Sequence, residues 1–113
     1  MAIKETKVFY KNVTEIPEEA SILGVINSDI LQLEVTGTGA FKLGIYAQLF
    51  DDGEFFPVVA ISDKDFKAVS FIETTGLYKI DISGFLRVKV VIEQLSGGDL
   101  NCRGLVVSMQ WMI

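Results

Sequence analysis

Hydrophobic and polar residues alternate through the segment 75–99, TGLYKIDISGFLRVKVVIEQLSGGD. Apolar residues occupy every second position from Tyr78 to Ile82 and, after the Ser83-Gly84 turn, from Leu86 to Ile92. Alternation with this period places one row of side chains on each face of a sheet. The segment therefore predicts two strands, each with one face in a core and a mixed-charge face in solvent.

Short runs of the same kind fill the rest of the chain, separated by turn residues. Besides the two strands above, strands are predicted at residues 6–13, 20–26, 30–36, 40–50, 54–62, 66–73 and 100–113. No window of about ten or more residues has the three- and four-residue spacing of a helix. About eight or nine strands with turns roughly every 8–12 residues indicate an all-β fold, an antiparallel β-sandwich of jelly-roll type.

Local features refine this prediction at three places. Asp52-Gly53, flanked by strands, predicts a type I′ hairpin, whose two central residues need positive φ. Pro57 cannot donate a ladder hydrogen bond, so its strand is predicted to lie at an edge or to carry a bulge. In the last run one face carries Leu105, Val107, Met109, Trp111 and Ile113. An apolar end of this kind should be packed, either in its own sandwich or against a neighbouring chain.

The composition suits a single domain, residues 1–113. Half of the residues are hydrophobic and the mean hydropathy is +0.40, which is high for a domain without a membrane span. No apolar run is long enough for a transmembrane helix, and the N-terminal MAIKETKVFYKN has charges where a signal peptide needs an apolar core. We therefore expect no export signal, and we expect excess apolar surface to be buried between subunits.

The charge and the rare residues exclude several functions. A net charge of −5 with scattered basic residues argues against binding nucleic acid or an anionic membrane. The chain has no histidine, which removes Ser-His-Asp and Cys-His catalysis and His-bearing metal sites. The single cysteine, Cys102, is interpreted as a small buried apolar residue. No enzyme activity, cofactor or metal is predicted.

A set of turn and strand motifs then suggests a family. They are a V-x-G-T turn at Val35-Gly37-Thr38, Asp52-Gly53 ahead of Phe56-Pro57-Val58, GLYKIDISG at 76–84, RVKV at 87–90, and the turn Ser96-Gly97-Gly98. This order resembles small all-β domains of tailed-phage virion proteins, of the head-fibre, capsid-decoration and tail-fibre type. The resemblance runs from residue 30 to 104 and departs from the family at 100–103, where a Ser/Thr-rich strand is usual. It implies a phage particle protein, often trimeric, without catalytic residues.

Candidate contact residues divide into two groups. Those predicted for a subunit interface are Tyr46 and Phe50, which lie on the polar side of their strand, and the apolar end Trp111, Met112 and Ile113. Those predicted for a ligand rim, where rings could stack on sugars, are Phe55, Phe56 and Asp52. Two weaker alternatives use carboxylates: a calcium site built from Asp51, Asp52, Glu54, Asp63 and Asp65, or a glycosidase pair.

Together these observations predict a non-enzymatic structural protein of the virion, assembled in the bacterial cytoplasm. It would decorate the capsid or belong to a head fibre or tail appendage. Its partners would be copies of itself, with a trimer favoured, and other virion proteins. The alternative is a carbohydrate- or receptor-binding module of a phage fibre.

Overall fold

The computed structural model describes the backbone of residues 2–109 and the side chains of residues 4–108. Within that range the chain forms eleven strands: β1 (Ala2–Val13), β2 (Ser21–Gly24), β3 (Ile30–Gly37), β4 (Ala40–Gln48), β5 (Phe55–Pro57), β6 (Ala60–Ser62), β7 (Ala68–Val69), β8 (Phe71–Ile72), β9 (Gly76–Asp81), β10 (Arg87–Ser96) and β11 (Leu100–Met109). No helix is present in the described residues. A helix able to span a membrane is accordingly not found there.

Two antiparallel sheets make up the fold. One has six strands in the order β1-β11-β3-β9-β6-β7, and the other has the order β2-β10-β4-β5, with β8 also paired to β4. Strands β1 to β4 alternate between the two sheets, and so do β9 to β11. This alternation is the connectivity of a jelly roll, so the predicted fold class is confirmed.

The rows of apolar residues predicted from alternation face one another between the sheets. The inward side chains include Leu31, Leu33, Val35, Leu43, Ile45, Ile80, Ile82, Val88, Val90 and Leu100, each no more than 2% exposed. At β1 a register irregularity between Val8 and Tyr10 turns both Phe9 and Tyr10 into this core. Burial of these rows is the main force that holds the two sheets together.

Three local predictions differ from the structure. The predicted strands 54–62 and 66–73 each divide between the two sheets, which raises the number of strands above eight or nine. The Asp52-Gly53 turn is not type I′, because neither residue has a positive φ. Instead the Gly53 amide donates to the Phe50 carbonyl at 3.0 Å, so that Gly53 is the last residue of the turn.

In β11, Leu105 and Val107 share one face, as alternation predicts. That face is the outer one and these side chains are half-buried, while the inward row is Leu100, Cys102, Gly104 and Val106. Pro57 lies in β5 at the edge of its sheet, as its missing amide hydrogen predicts.

Candidate binding surfaces

The first candidate surface lies on the outer side of the five-stranded sheet and is centred on Tyr46 of β4. A Cβ atom added at Gly44 would stand only 2.8 Å from Cε2 of Tyr46 and 3.1 Å from its hydroxyl, so the ring lies over this glycine. The Tyr46 hydroxyl donates a 2.6 Å hydrogen bond to Oε1 of Glu93 in β10. This bond, with a smaller contribution from burial, raises the pKa of Tyr46. The ring is therefore held in one position on the sheet surface.

Two further rings and two lysines surround Tyr46. The Lys89 ammonium lies 4.5 Å from the centre of the Phe55 ring and 5.8 Å from that of Tyr46. The Lys42 ammonium lies 4.2 Å from the centre of the Phe71 ring. Among the described residues neither lysine has a carboxylate within ion-pair distance. We call this surface the aromatic face, defined by Lys42, Tyr46, Phe55, Phe71, Lys89 and Glu93.

A hydrogen-bonded turn closes one end of the aromatic face. Arg87 donates to Oε1 of Gln48 and to the Asp51 carboxylate, both at 2.8 Å, and the Gln48 amide donates to the Gly53 carbonyl at 2.8 Å. These bonds hold the 49–53 turn, whose Phe50 side chain is 65% exposed. The Arg87–Asp51 ion pair is largely exposed, so its main effect is on geometry rather than stability.

The second candidate surface is a groove on the outer side of the six-stranded sheet. It has a volume of about 420 Å³ and crosses β1, β11, β3 and β9. Its apolar walls and floor come from Val8, Leu77 and Leu105. An ion pair crosses it, in which Nε of Arg103 donates to Oε1 of Glu34 at 2.9 Å. We call this surface the apolar groove.

A single exposed aromatic residue stands on the β6–β7 turn. Phe66 is 80% exposed and has φ of 59°, a left-handed conformation that is unusual for a bulky residue. The turn keeps it there, because the Phe66 amide donates to the Ser62 carbonyl at 2.8 Å and the Ser62 amide donates to the Lys67 carbonyl at 3.0 Å. The Phe66 ring is therefore presented to solvent by a well-bonded turn.

The described residues contain no group of three or more side chains suited to hold a metal ion. The carboxylates considered for calcium, Asp51, Asp52, Glu54, Asp63 and Asp65, are part of no such group. Cys102 is buried, as its sequence context predicts, and burial raises the pKa of its thiol to about 12. A thiol with so high a pKa is a poor nucleophile at neutral pH.

The residues chosen from the sequence meet only in part. Tyr46 and Phe55 share the aromatic face, whereas Phe56 lies next to them on the exposed edge strand, and Phe50 and Asp52 belong to the turn at its end. Trp111, Met112 and Ile113 lie outside the described residues.

Sequence reasoning missed the partners of Tyr46 and the whole of the second surface. Lys89 was predicted only to lie on a solvated face. Phe71 comes close to Tyr46 because β8 pairs with β4, and Lys42 lies on β4 itself. A glycine two residues before a tyrosine in a strand is the one available signal, since a ring can cover the bare backbone. Phe66 sits in a run that was predicted to be a strand, so its exposure could not be anticipated.

Comparison with known proteins adds the evolutionary relationship. The family model described as XepA matches residues 4–106. The chain belongs to the XepA family. The comparison with curated proteins found no match to this chain. Among solved structures, the SPBc2 prophage-derived protein YomS has 24% identity and a TM-score of 0.84, over 96% of each chain.

A second similar solved structure is that of the PBSX exported protein XepA. It has 25% identity and a TM-score of 0.86 over 95% of this chain, which spans 38% of XepA's own length. The resemblance to all-β phage proteins is therefore confirmed, since the similar proteins include a prophage-derived one with the same fold. Neither is named as an enzyme.

Proposed function

We propose that this XepA-family protein is a non-enzymatic structural protein of a phage particle that acts by binding copies of itself and other virion proteins. In the particle it either decorates the capsid or belongs to a head fibre or tail appendage. One observation carries the self-association: the chain presents both an exposed aromatic knob, Phe66, and an apolar groove on the neighbouring part of the same sheet.

The knob has the properties of an anchor residue. Holding a bulky side chain in the left-handed region costs about 1–2 kcal/mol, and such strain collects at sites that bind or react. An exposed phenylalanine makes no use of its apolar surface within its own chain. Because the turn already fixes the backbone at Phe66, only its side-chain rotamers have to be ordered on binding, which favours its use as a contact.

The groove has the properties of a receptor for such a ring. Leu77 in its wall is 53% exposed, and Val8 is exposed as well. Burying a phenylalanine side chain contributes about 1.5–3 kcal/mol of transfer free energy. Charged residues of both signs lie beside the knob and in the groove, where Glu34 is already paired with Arg103, so the contact rests on apolar burial.

Knob and groove are unlike surfaces, so the trimer proposed here joins them head to tail in a heterologous contact, whereas a twofold dimer would use the same contact twice. Heterologous contacts form rings when the rotation closes and open chains when it does not. The trimer expected from the resemblance to phage proteins is one such ring. The number of copies is open to direct measurement.

The molar mass of the purified protein at micromolar concentration tests this proposal. We expect a closed oligomer by multi-angle light scattering, and a monomer would contradict self-association. A ring of more than three copies would contradict the trimer and leave self-association standing. Mass spectrometry of purified phage particles tests the place in the virion, where the protein should be found at many copies per particle.

A second function, carbohydrate binding, is favoured by the Tyr46 ring. Sugar rings stack on aromatic rings held at the surface, and this one is fixed by Gly44 below it and by Glu93 at its hydroxyl. Binding to a glycan array that disappears in Tyr46→Ala or Phe55→Ala would support it. Unchanged binding in both variants would contradict a site on the aromatic face.

A further inference from the structure

The aromatic face carries two lysines and one carboxylate, Glu93, in a protein of net charge −5. Lys42 and Lys89 each lie over a phenylalanine ring, and within the part of the chain that the structure describes no carboxylate comes within 4 Å of either ammonium. Arg87 is already paired with Asp51, so it adds no free charge. Two lysines are thus available to an acidic ligand.

The register of the sheet separates these two lysines along the surface. Lys42 and Tyr46 are four residues apart on β4, which corresponds to about 13 Å along the strand. Lys89 stands directly opposite Tyr46 on β10. The two charges therefore suit a ligand with acidic groups on different units of a short chain, rather than one small anion.

The rings keep the lysines in place without neutralising them. A cation–π contact at an exposed site is weak, so a lysine can exchange it for a carboxylate at little cost. Phe55 and Phe71 then remain as apolar surface beside the new ion pair. Glu93 has acceptor capacity beyond the bond from Tyr46, which suits the hydroxyl groups of a sugar.

We infer that the aromatic face binds an acidic oligosaccharide whose pyranose rings carry carboxylates. Tyr46 supplies the stacking surface, Lys42 and Lys89 bind the carboxylates of separate sugar units, and Glu93 accepts from hydroxyl groups. This inference rests on the second function proposed above, carbohydrate binding, and is independent of self-association through Phe66.

Calorimetric titration of the full chain with trigalacturonate and with its methyl ester tests the inference. The ester keeps the rings and removes the charges. We expect the acid to bind about tenfold more tightly than the ester, with the difference shrinking at high salt. Lys42→Met and Lys89→Met should each weaken acid binding about threefold and reduce the preference for the acid over the ester by the same factor. Lys64→Met, on the β6–β7 turn, is the matched control and should have no effect.

The outcomes distinguish a failure of the acidic-oligosaccharide inference from a failure of carbohydrate binding as a whole. Equal affinity for acid and ester would overturn the inference and leave carbohydrate binding in place. No binding of either ligand at millimolar concentration would overturn both. Acid binding that survives in the Lys42→Met Lys89→Met double variant would place the acidic site elsewhere and overturn the inference.

Discussion

The Tyr10 hydroxyl donates a hydrogen bond of 2.5 Å to the carbonyl oxygen of Val90 and thereby joins the six-stranded sheet to the five-stranded one. The same hydroxyl accepts a bond of 3.1 Å from the Ser21 amide in β2. Tyr10 is buried among the core residues, and this burial raises the pKa of its phenol. One polar group thus connects three strands inside an otherwise apolar core.

Removing this hydroxyl should destabilise the protein. Tyr10→Phe leaves the Ser21 amide without its acceptor, and a buried unpaired group costs about 1–3 kcal/mol. Urea unfolding should show a loss of that size with an unchanged m value. Tyr46→Phe removes an exposed hydroxyl and is the control, with an expected change under about 0.5 kcal/mol. Equal effects of the two variants would contradict the role given to Tyr10.

Two strand glycines should respond very differently to alanine. A Cβ at Gly104 would lie 2.8 Å from Cε2 of Phe9 and 2.9 Å from Cδ1 of Leu31, whereas at Gly24 nothing lies within 4 Å. Gly104→Ala should therefore cost about 1–3 kcal/mol through overpacking. Gly24→Ala should be neutral within about 0.5 kcal/mol. Thermal unfolding of both variants measures the difference, and a neutral Gly104→Ala would show that the core adapts.

The jelly roll could be predicted from the sequence because its longest strands alternate cleanly. The rows through Leu43 and Ile45, and through Val88 and Val90, are buried as alternation predicts. In β11 both faces are apolar, since Val106 and Val107 are equally hydrophobic, so alternation could not choose the inward row.

The candidate site was less predictable, because it depends on pairing between distant strands. Nothing local to Tyr46 indicates that Phe71 lies beside Gly44. The 66–73 run was wrongly predicted to be one strand, because the left-handed backbone at Phe66 has no signature in the residue type.

Relieving the strain at Phe66 should stabilise the isolated chain. Glycine adopts positive φ without a steric penalty, and the exposed ring contributes little to the core. We expect Phe66→Gly to raise the free energy of unfolding by about 1 kcal/mol under conditions where the protein is monomeric. Phe66→Ala keeps the Cβ and should give little or no gain. A destabilised Phe66→Gly would mean that the ring supports its own fold.

Stability should fall at alkaline pH because of Cys102. Its pKa is raised from 9.0 to about 12 in the folded state, so the unfolded thiol ionises first as the pH rises. The stabilising contribution is complete below pH 9.0 and is lost progressively up to about pH 12. Between about pH 8 and pH 10 the native protein should lose about 1.4 kcal/mol more than Cys102→Ala. Parallel pH profiles for the two proteins would contradict this assignment.

The central claim, that Phe66 of one copy binds the apolar groove of another, is tested most directly by mixing two defective variants. Phe66→Gly lacks the knob and keeps the groove, while Leu77→Glu keeps the knob and places a charge in the groove wall. Ile22→Glu, at a similarly exposed position (48%) on the other sheet, is the matched control.

In sedimentation equilibrium each of the two variants alone should be monomeric, their equimolar mixture should form dimers, and Ile22→Glu should assemble like the native protein. Native-like assembly of both single variants, or a mixture that stays monomeric, would contradict the claim.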